Sequence, residues 1–585
     1  MVSSVTLGNF FSSNGKTVLG GIGGSGLDTE ALINSLVEAK SFPATQAQDK
    51  IDLNDKRSTA LTELKTLVGN FQTAADALRN PPGVGNAASN AFKYTTTSVT
   101  SNTANAGSNF VTVTTSPGAT LQSYSISEIT SVASAASQSS GVFTVASAND
   151  DVVGLPSGNT FGAGNITIGS QTITIEATDS LNAIAAKFNA VSDSTGISAT
   201  VIQISSSSFS LSFSATKTGD TGNFDLSTVT ADPGVFDNAD LGTAVAGTNA
   251  EFKINGVAVT RQSNSINDLI SGLTFNILQE TAVSETLTVS VKADTATAKG
   301  TIQAFVDSYN AIRQFVAEQT QLSDDGTYAE DAVLANDPTF QSVVASITNQ
   351  ISAKVSGLTG SYTSLASIGI TFTDVAATAD TPTITNALTI DDGKLTSALS
   401  SSYADVTKLF GLNLSTTNPN VALYSSTNSV KLSSFTLNID PVGGIFQAIH
   451  SGGTINLTAT ALPGSSGYTL SGPAGSLLEG LSLIYASTTA GTSTINFTQG
   501  VAALTYNTSD AATETNTGTL ALALKGLEEQ NTKLSSDITQ INTQVDQYRE
   551  QLLAKFAALE QAISRVNNLL QSLSADSDAR NNAAG

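Results

Sequence analysis

From Ile538 onward the apolar positions fall at Ile541, Val545, Tyr548, Leu552, Phe556, Leu559, Ile563, Val566, Leu570 and Leu573, in steps of three and four. That period draws one narrow stripe along a helix, the seam of a coiled coil. Near the other end Leu61, Leu64, Val68, Phe71, Ala75 and Leu78 repeat the spacing, preceded by a shorter apolar face of Leu32, Ile33, Leu36 and Val37. Each terminus therefore offers a single stripe with no second apolar layer to cover it, and the stripes must meet each other or other subunits. The C-terminal helix is predicted from about Leu520 to Leu573, about 80 Å at the helical rise, with a polar, mobile tail from Ser574 to Gly585. At the N-terminal end Asp28 is placed to cap a helix starting at Thr29. Pro43, lacking a donor, predicts a break, and a second helix runs from about Ala44 to Arg79 before Pro81 and Pro82. Between Tyr548 and Phe556 the steps are four and four, a stutter that unwinds a left-handed supercoil and favours a straight helix.

After the prolines the period changes from helical to two. Phe92 to Val99, Phe110 to Thr114 and Tyr124 to Ile129 read as strands, and the pattern persists to Val291. A degenerate repeat lies within it. Ile166 to Ile175 forms a strand, turn and strand followed by a short helix from Ser180 to Ala190, and Phe252 to Thr260 repeats the arrangement with a short helix expected from Ser265 to Ile270. Ile302, Phe305, Tyr309, Ile312 and Val316 restore the helical period, and helices also fit Asp337 to Lys354 and Leu395 to Phe410. From Leu412 to Thr508 the chain is again Gly-, Ser- and Thr-rich, with strand-like pieces at Ser434 to Ile439, Thr454 to Thr458, Leu481 to Tyr485 and Thr494 to Thr498.

The fold class this implies is α+β and multidomain: long terminal helices forming an axial coiled-coil leg, a helical body, and β-rich head domains inserted between them. The expected division assigns 1–43 and 560–585 to flexible terminal leg segments, and 44–91, 292–411 and 509–559 to the helical leg and body. A β-rich head takes 92–150 with 235–291, a second β-rich head takes 151–234, and 412–508 is an additional Ser/Thr/Gly-rich β-insertion. A length of 585 residues suits several cores of this size.

Charge and composition narrow the function classes. With 48 acidic and 25 basic residues the formal charge is -23, and no Lys/Arg cluster provides a footprint for nucleic acid or anionic lipid. Only 12% of residues are charged while 40% are hydrophobic, so the chain buries cores beneath a Ser, Thr, Asn and Gly surface of the kind common on extracellular bacterial proteins. Cysteine is absent, which excludes a disulfide framework and thiolate metal sites and suits a chain exported unfolded. No cleavable signal peptide is visible, and no apolar run is long enough for membrane insertion.

Candidate chemistry weighs against an enzyme. Gly21-Ile-Gly-Gly-Ser-Gly26 matches the dinucleotide-binding signature, but Pro43 and a second long helix follow where a parallel strand and acidic residue are required, so a flexible helix lead-in is the better reading. Ser323 to Asp331 is acidic without the spacing of a calcium loop, and its Asp325-Gly326 dipeptide reads as a solvated turn, as does Asp391-Asp392-Gly393. His450, the single histidine, reads as a surface loop residue. No carboxylate pair is arranged for hydrolysis, and the Asn456 and Asn496 sequons are expected by chance in so Ser/Thr-rich a chain. The expectation is no catalytic, cofactor-binding or metal site and no cofactor.

Four stretches carry a family resemblance: Gly24-Ser-Gly-Leu-Asp-Thr-Glu-Ala-Leu-Ile33 with its following helices, Phe252 to Gly272, Thr301 to Gln314 and the C-terminal helix. They resemble the bacterial flagellar filament cap family, also called hook-associated protein 2, and the stretch Ile166 to Ala190 looks like a small motif shared with flagellins. The interval 412–508 is larger than the minimal pattern. The resemblance implies a secreted, extracellular homo-oligomeric ring at the filament tip that helps exported flagellin fold and insert. Implied partners are other copies of the chain, flagellin, the hook-filament junction proteins, and the flagellar export apparatus with its export chaperone, with no nucleic acid and no membrane insertion. The residues expected to carry assembly and flagellin contact are Leu32, Leu36, Leu61, Leu64, Val68, Phe71, Leu78, Ile538, Ile541, Val545, Tyr548, Leu552, Phe556, Leu559, Ile563, Val566 and Leu570. The alternative is another axial flagellar component, a flagellin or a junction protein. Surface adhesion by the exposed β-domains is a further expectation.

Overall fold

The computed structural model describes residues 10–13, 16–19, 29–79, 90–237, 239–378, 381–427, 429–464 and 466–583. Nine α-helices lie among them: α1 (Thr29–Asp76), α2 (Leu181–Ala190), α3 (Ser192–Thr195), α4 (Thr295–Gln319), α5 (Pro338–Ser352), α6 (Asp392–Ser401), α7 (Tyr403–Phe410), α8 (Val501–Thr513) and α9 (Thr519–Ala583). The chain is α+β and multidomain, with the two longest helices near its ends and β-sheets between them. It divides into two compact units, 1–79 with 303–395 and 408–585, and 80–302 with 396–407. The lead-in Gly21 to Gly26 and the expected cap Asp28 lie outside the described residues.

In the first unit α1 and α9 pack side by side. Their apolar faces meet α8 and the part of α4 from Gln303 onward, where Phe71, Phe305, Tyr309 and Phe410 are fully buried. The ring centroids of Phe71 lie 4.8 Å from Phe305 and 5.8 Å from Tyr309, so aromatic packing centres the helical body. Asp337 starts α5 by accepting from the Thr339 and Phe340 N–H groups and also pairs with Arg57 of α1. The antiparallel hairpin Ile370–Val375 and Ile384–Ile390 is bound to α4 through Asn310, whose side-chain amide pairs with both backbone groups of Leu388, and through Arg313, which donates to the Thr385 carbonyl.

Between Leu412 and Gln499 two antiparallel sheets share one apolar cluster. The five-stranded sheet runs in the order Leu412–Thr416, Gly491–Gln499, Ser434–Asp440, Ile445–His450, Gly453–Asn456. The four-stranded sheet runs Val421–Ser425, Ser482–Tyr485, Tyr468–Ser471, Thr458–Ala461. The entering and leaving strands are neighbours, with Leu412 opposite Gln499, so this sandwich is inserted through a single strand pair. Inward residues such as Leu437, Ile439, Ile495 and Phe497 alternate with polar ones, as half-buried antiparallel strands require.

The second unit holds two β-rich clusters. In one, the sheet order is Val257–Arg261, Ala250–Ile254, Ser123–Ser131, Thr286–Ala293, Thr95–Ser101, and a three-stranded sheet of Ser265–Ile266, Leu273–Ile277 and Val111–Thr115 contributes to the same core. Asn255 and Gly256 turn the first hairpin at φ 48° and 81°, the two positive values a type I′ turn needs. The other cluster gathers Phe143, Phe161, Leu181, Ile184, Phe188, Leu211 and Phe213, with α2 supplying three of these side chains. Ser180 caps α2 by accepting from the Ala183 N–H.

Local signals fail where tertiary contacts outweigh them. α1 runs unbroken through Pro43, because Pro43 and Ala39 are both exposed and water can satisfy the Ala39 carbonyl that loses its helical donor. Ser265 does not start a helix. It joins a strand opposite Asn276, while the neighbouring Asn264 amide clamps both backbone groups of Ala133. The expected helix Leu395 to Phe410 is two helices, since Ser402 accepts the first N–H groups of a new one from Asp405 and Val406. Strand structure in the Ser/Thr-rich interval stops at Gln499, and α8 begins at Val501, seven residues before the expected end. The polar stretch beyond Leu573 continues α9 to Ala583, with Arg580 and Asp576 paired at 3.2 Å.

Candidate assembly interface

Two cross-helix contacts fix how α1 and α9 meet. The Thr29 hydroxyl donates to Glu560 Oε1 at 3.1 Å, and Asn54 Nδ2 donates to Asn531 Oδ1 at 2.9 Å. Rising numbers on α1 meet falling numbers on α9, so the pair is antiparallel. On α1 the buried or half-buried positions Ala44, Ala47, Ile51, Asn54, Ser58 and Leu61 step three, four, three, four, three. On α9 Leu527, Asn531, Leu534, Ile538, Ile541, Val545, Tyr548 and Leu552 do the same. This is a two-helix seam, and small Ala residues on one side face larger apolar residues on the other.

The candidate residues divide by position. Leu61, Leu64, Val68, Phe71 and Leu78 are buried in the helical body. Val545 and Leu552 are each 8% exposed, and Ile538, Ile541, Tyr548 and Phe556 are half-buried along the seam. Leu32 and Leu36 instead point outward, at 44% and 36% exposure, and Ile33 turns toward the seam in their place. From Leu559 the stripe opens: Leu559 is 45% exposed, Val566 55% and Leu570 57%, with only Ile563 half-buried. Glu560 lies opposite the first described residue of α1, and α9 continues from there to Ala583, about 35 Å of helix.

Periodicity restricted to large apolar residues misses the Asn54–Asn531 pair. Asn54 is 7% exposed and half-buried Asn531 also donates from Nδ2 to Asp55 Oδ1 at 2.7 Å, so both amides are partnered. A polar pair at one seam position selects a single register, because a slip leaves the buried Asn54 amide without its partner. The signal was available: Asn54 stands three after Ile51, and Asn531 four after Leu527. At the body end of the seam the Arg79 guanidinium lies 3.9 Å from the Tyr506 ring centroid and its carbonyl accepts from the Leu412 N–H, tying the end of α1 to α8 and to the base of the sandwich.

The other candidate positions take quiet places. Asp325 accepts from the Thr327 N–H and hydroxyl within a turn, which holds its carboxyl below the usual range. His450 ends a strand, and its Nδ1 accepts from the Gly452 N–H. Among the described residues no group of three or more His, Asp or Glu is placed to hold a metal ion, and no helix is long and apolar enough to cross a membrane.

The family described as flagellar hook-associated protein 2 C-terminus matches residues 247–568, more than half of the chain. The chain belongs to the flagellar hook-associated protein 2 family. The N-terminal part of the same family matches residues 25–136, and the flagellin hook IN motif matches 160–217, the stretch that holds α2 and the long hairpin after it. The B-type flagellar hook-associated protein 2 of Pseudomonas aeruginosa is 28% identical over 416 residues, covering 66% of this chain and 80% of that protein. The Escherichia coli K12 hook-associated protein 2 is 27% identical over 395 residues, 64% of this chain and 76% of its own length. With the Salmonella typhimurium protein the match is 26% over 233 residues and spans 47% of that relative. A crystal structure of the flagellar cap protein FliD D1-D2-D3 domains from Escherichia coli aligns at 25% identity and a TM-score of 0.42, over 60% of this chain and 89% of that one. The two hook-associated protein 2 matches thus take in α1 and α9 as far as Asn568, leaving 137–246 between them, and the C-terminal one ends partway along the open stripe.

Proposed function

We propose that this chain caps the flagellar filament: several copies close into a ring at the tip, where the ring helps exported flagellin fold and insert. The observation that carries the reading is the change along α9 from a covered seam to an uncovered stripe at Leu559, within a chain of the hook-associated protein 2 family. A helix with one uncovered apolar stripe gains most of its stability from a partner. A cap must bind flagellin or its own neighbours and then let go, and helices that order on contact suit such a cycle better than a rigid joint. No covalent chemistry enters; binding energy alone is used. The site of action is outside the cell, reached through the flagellar export apparatus with its export chaperone, and the hook-filament junction proteins are the first surface the ring meets. Surface adhesion through the β-rich segments is a secondary role within the same proposal.

The test is truncation of the full chain after Ala558. The expected result is unchanged unfolding of the β-rich unit and helical body but failure of filament growth in cells that carry only the truncated protein. Normal filaments would overturn the reading. Electron micrographs of the purified full chain should show small closed rings, because a closing interface stops; long tubes would favour a filament-forming component instead.

A further inference from the structure

The strand Ile197–Ser205 is the edge of its sheet, paired on one side with Ser208–Thr218 and, among the described residues, with no strand on the other. In an antiparallel ladder, successive residues turn their backbone groups alternately toward and away from the partner. Ala199 turns away: its N–H donates to Asn189 Oδ1 at 2.8 Å and its carbonyl accepts from Asn189 Nδ2 at 2.9 Å. Ile197 turns the same way, donating to Thr195 Oγ1 at 3.3 Å. The phase is fixed from the other strand as well. Leu211, opposite Val201, sends its N–H to Ser140 Oγ and accepts from the Ser140 N–H, both on the far side of the sheet. Val201 and Gln203 therefore present their N–H and C=O groups to the free edge. The Asn189 side chain at the end of α2 stands in for a neighbouring strand over the first half of this edge, and among the described residues nothing does so over the second half.

Edges are ordinarily guarded by a charge, a proline, a bulge or a covering element. From Ser194 to Thr216 this hairpin contains no charged residue and no proline. Its single irregularity is a register shift between Gln203 and Ser205. Ile202 and Ile204, on the outer face of the same strand, are 48% and 56% exposed.

We propose that Val201–Ser205 is a self-pairing edge, at which a second copy of this chain adds the same strand antiparallel across a two-fold axis. The charge distribution selects that occupant. A chain of net charge -23 repels its own copies over most of its surface, and this hairpin is a neutral stretch of 23 residues through which two copies meet without like charges opposed. An axis at Ile202 sets Val201 opposite Gln203 of the partner subunit and Gln203 opposite Val201 of the partner subunit, so the outward backbone groups satisfy one another reciprocally. Ile202 then faces its own counterpart at a non-hydrogen-bonded position, where cross-strand side chains approach most closely. Such a contact is isologous and ends at a pair. It is distinct from the contacts that would close a ring, and it stands whether or not the cap reading does.

Because the chain has no cysteine, a single introduced thiol reports the contact directly. Full-length Ile202→Cys, oxidised at low protein concentration, is compared with Val283→Cys, a control on a loop position that is 98% exposed. The expected result is a disulfide-linked dimer formed at least about tenfold faster from Ile202→Cys, since pairing holds the two thiols within bonding distance. Adding Gln203→Pro, which removes an outward N–H that serves no internal bond, should return the rate to that of the control. Gln203→Lys provides the same test if the proline variant fails to fold by circular dichroism. A rate equal to the Val283→Cys control, or one that a folded Gln203 variant leaves unchanged, would overturn the proposal.

Discussion

α9 carries one apolar pattern and two unlike surfaces. Up to Phe556 its stripe lies against α1, with Val545 and Leu552 each 8% exposed, whereas Val566 and Leu570, further along the same stripe, are 55% and 57% exposed. Apart from the four-and-four stutter around Leu552, the three-and-four spacing continues from one to the other. What changes is the burial: among the described residues Thr29 of α1 meets Glu560, and the stripe positions Val566 and Leu570 beyond it are more than half exposed. A periodic stripe defines a face that gains by being covered; the reach of the neighbouring element decides how much of it is covered within the chain.

The comparison fails if the covered end proves unimportant to the fold. Phe71 is fully buried among Phe305 and Tyr309, so Phe71→Ala removes a large side chain and leaves a cavity. The expected loss is about 3–5 kcal/mol of stability in urea unfolding followed by helical circular dichroism. A loss below about 1 kcal/mol would mean that the helical body tolerates a void there and that the buried part of the stripe is not its core.

Asn54 tests the seam between the two extremes. Asn54→Ala leaves the Asn531 Oδ1 without its donor and should cost about 1–3 kcal/mol. Replacing both Asn54 and Asn531 by Leu should restore that stability or exceed it, while giving up the selection of one register. A double-mutant cycle measures the coupling, and additive effects would show that the pair does not act as a unit.

Both stripes, the hairpin at Asn255-Gly256, the cap at Ser180 and the general α+β order were legible in the sequence, because each rests on spacing or on a residue whose conformational preference is strong. The helix through Pro43 was not: the rule that proline ends a helix assumes that the freed carbonyl goes unsatisfied, and at an exposed turn it does not. Ser265 misled because a capping residue needs a helix behind it, and Asn264 had already been drawn to Ala133 across the sheet. Of the residues expected to make assembly contacts, those from Leu61 to Leu78 are instead buried within the chain's own helical body: size and period marked a face to be covered, not what covers it. The exposure of Leu32 and Leu36 was not legible, since on so short an apolar patch the choice of Ile33 as the inward residue depends on where α9 lies.

Acid should separate the β-rich unit from the helical seam. Glu285 is 2% exposed and accepts from Ser101, Thr103 and Asn105 side chains and the Ala282 N–H; the Thr103 hydroxyl leads in holding its carboxyl down to about 2, against 4.5 for an ordinary glutamate. A carboxyl lowered in the folded state stabilises fully above its unfolded value, and that stabilisation is lost as pH falls from 4.5 through about 2. Glu285→Gln should lower the melting temperature of the β-rich unit at neutral pH and flatten its dependence across this window. Helix unfolding should be unaffected, and an equal shift in both would refute the separation.

The smallest effect on the free chain should be the largest on assembly. Val566→Ser with Leu570→Ser changes two side chains that are already more than half exposed, so the monomer should keep its unfolding free energy within about 0.5 kcal/mol. If the open stripe is completed by flagellin or by neighbouring copies, the same pair of changes removes apolar contact from every such junction, and filament growth in cells carrying only this variant should fall sharply. Amide exchange gives the independent reading. In dilute monomer the amides beyond Leu559 should exchange faster than those from Leu527 to Leu552, because a helix with an uncovered stripe opens without disturbing a core. Equal protection along α9 with normal filament growth would mean that the open stripe is an ordinary exposed face, and the contrast between the two ends of the helix would then carry no functional meaning.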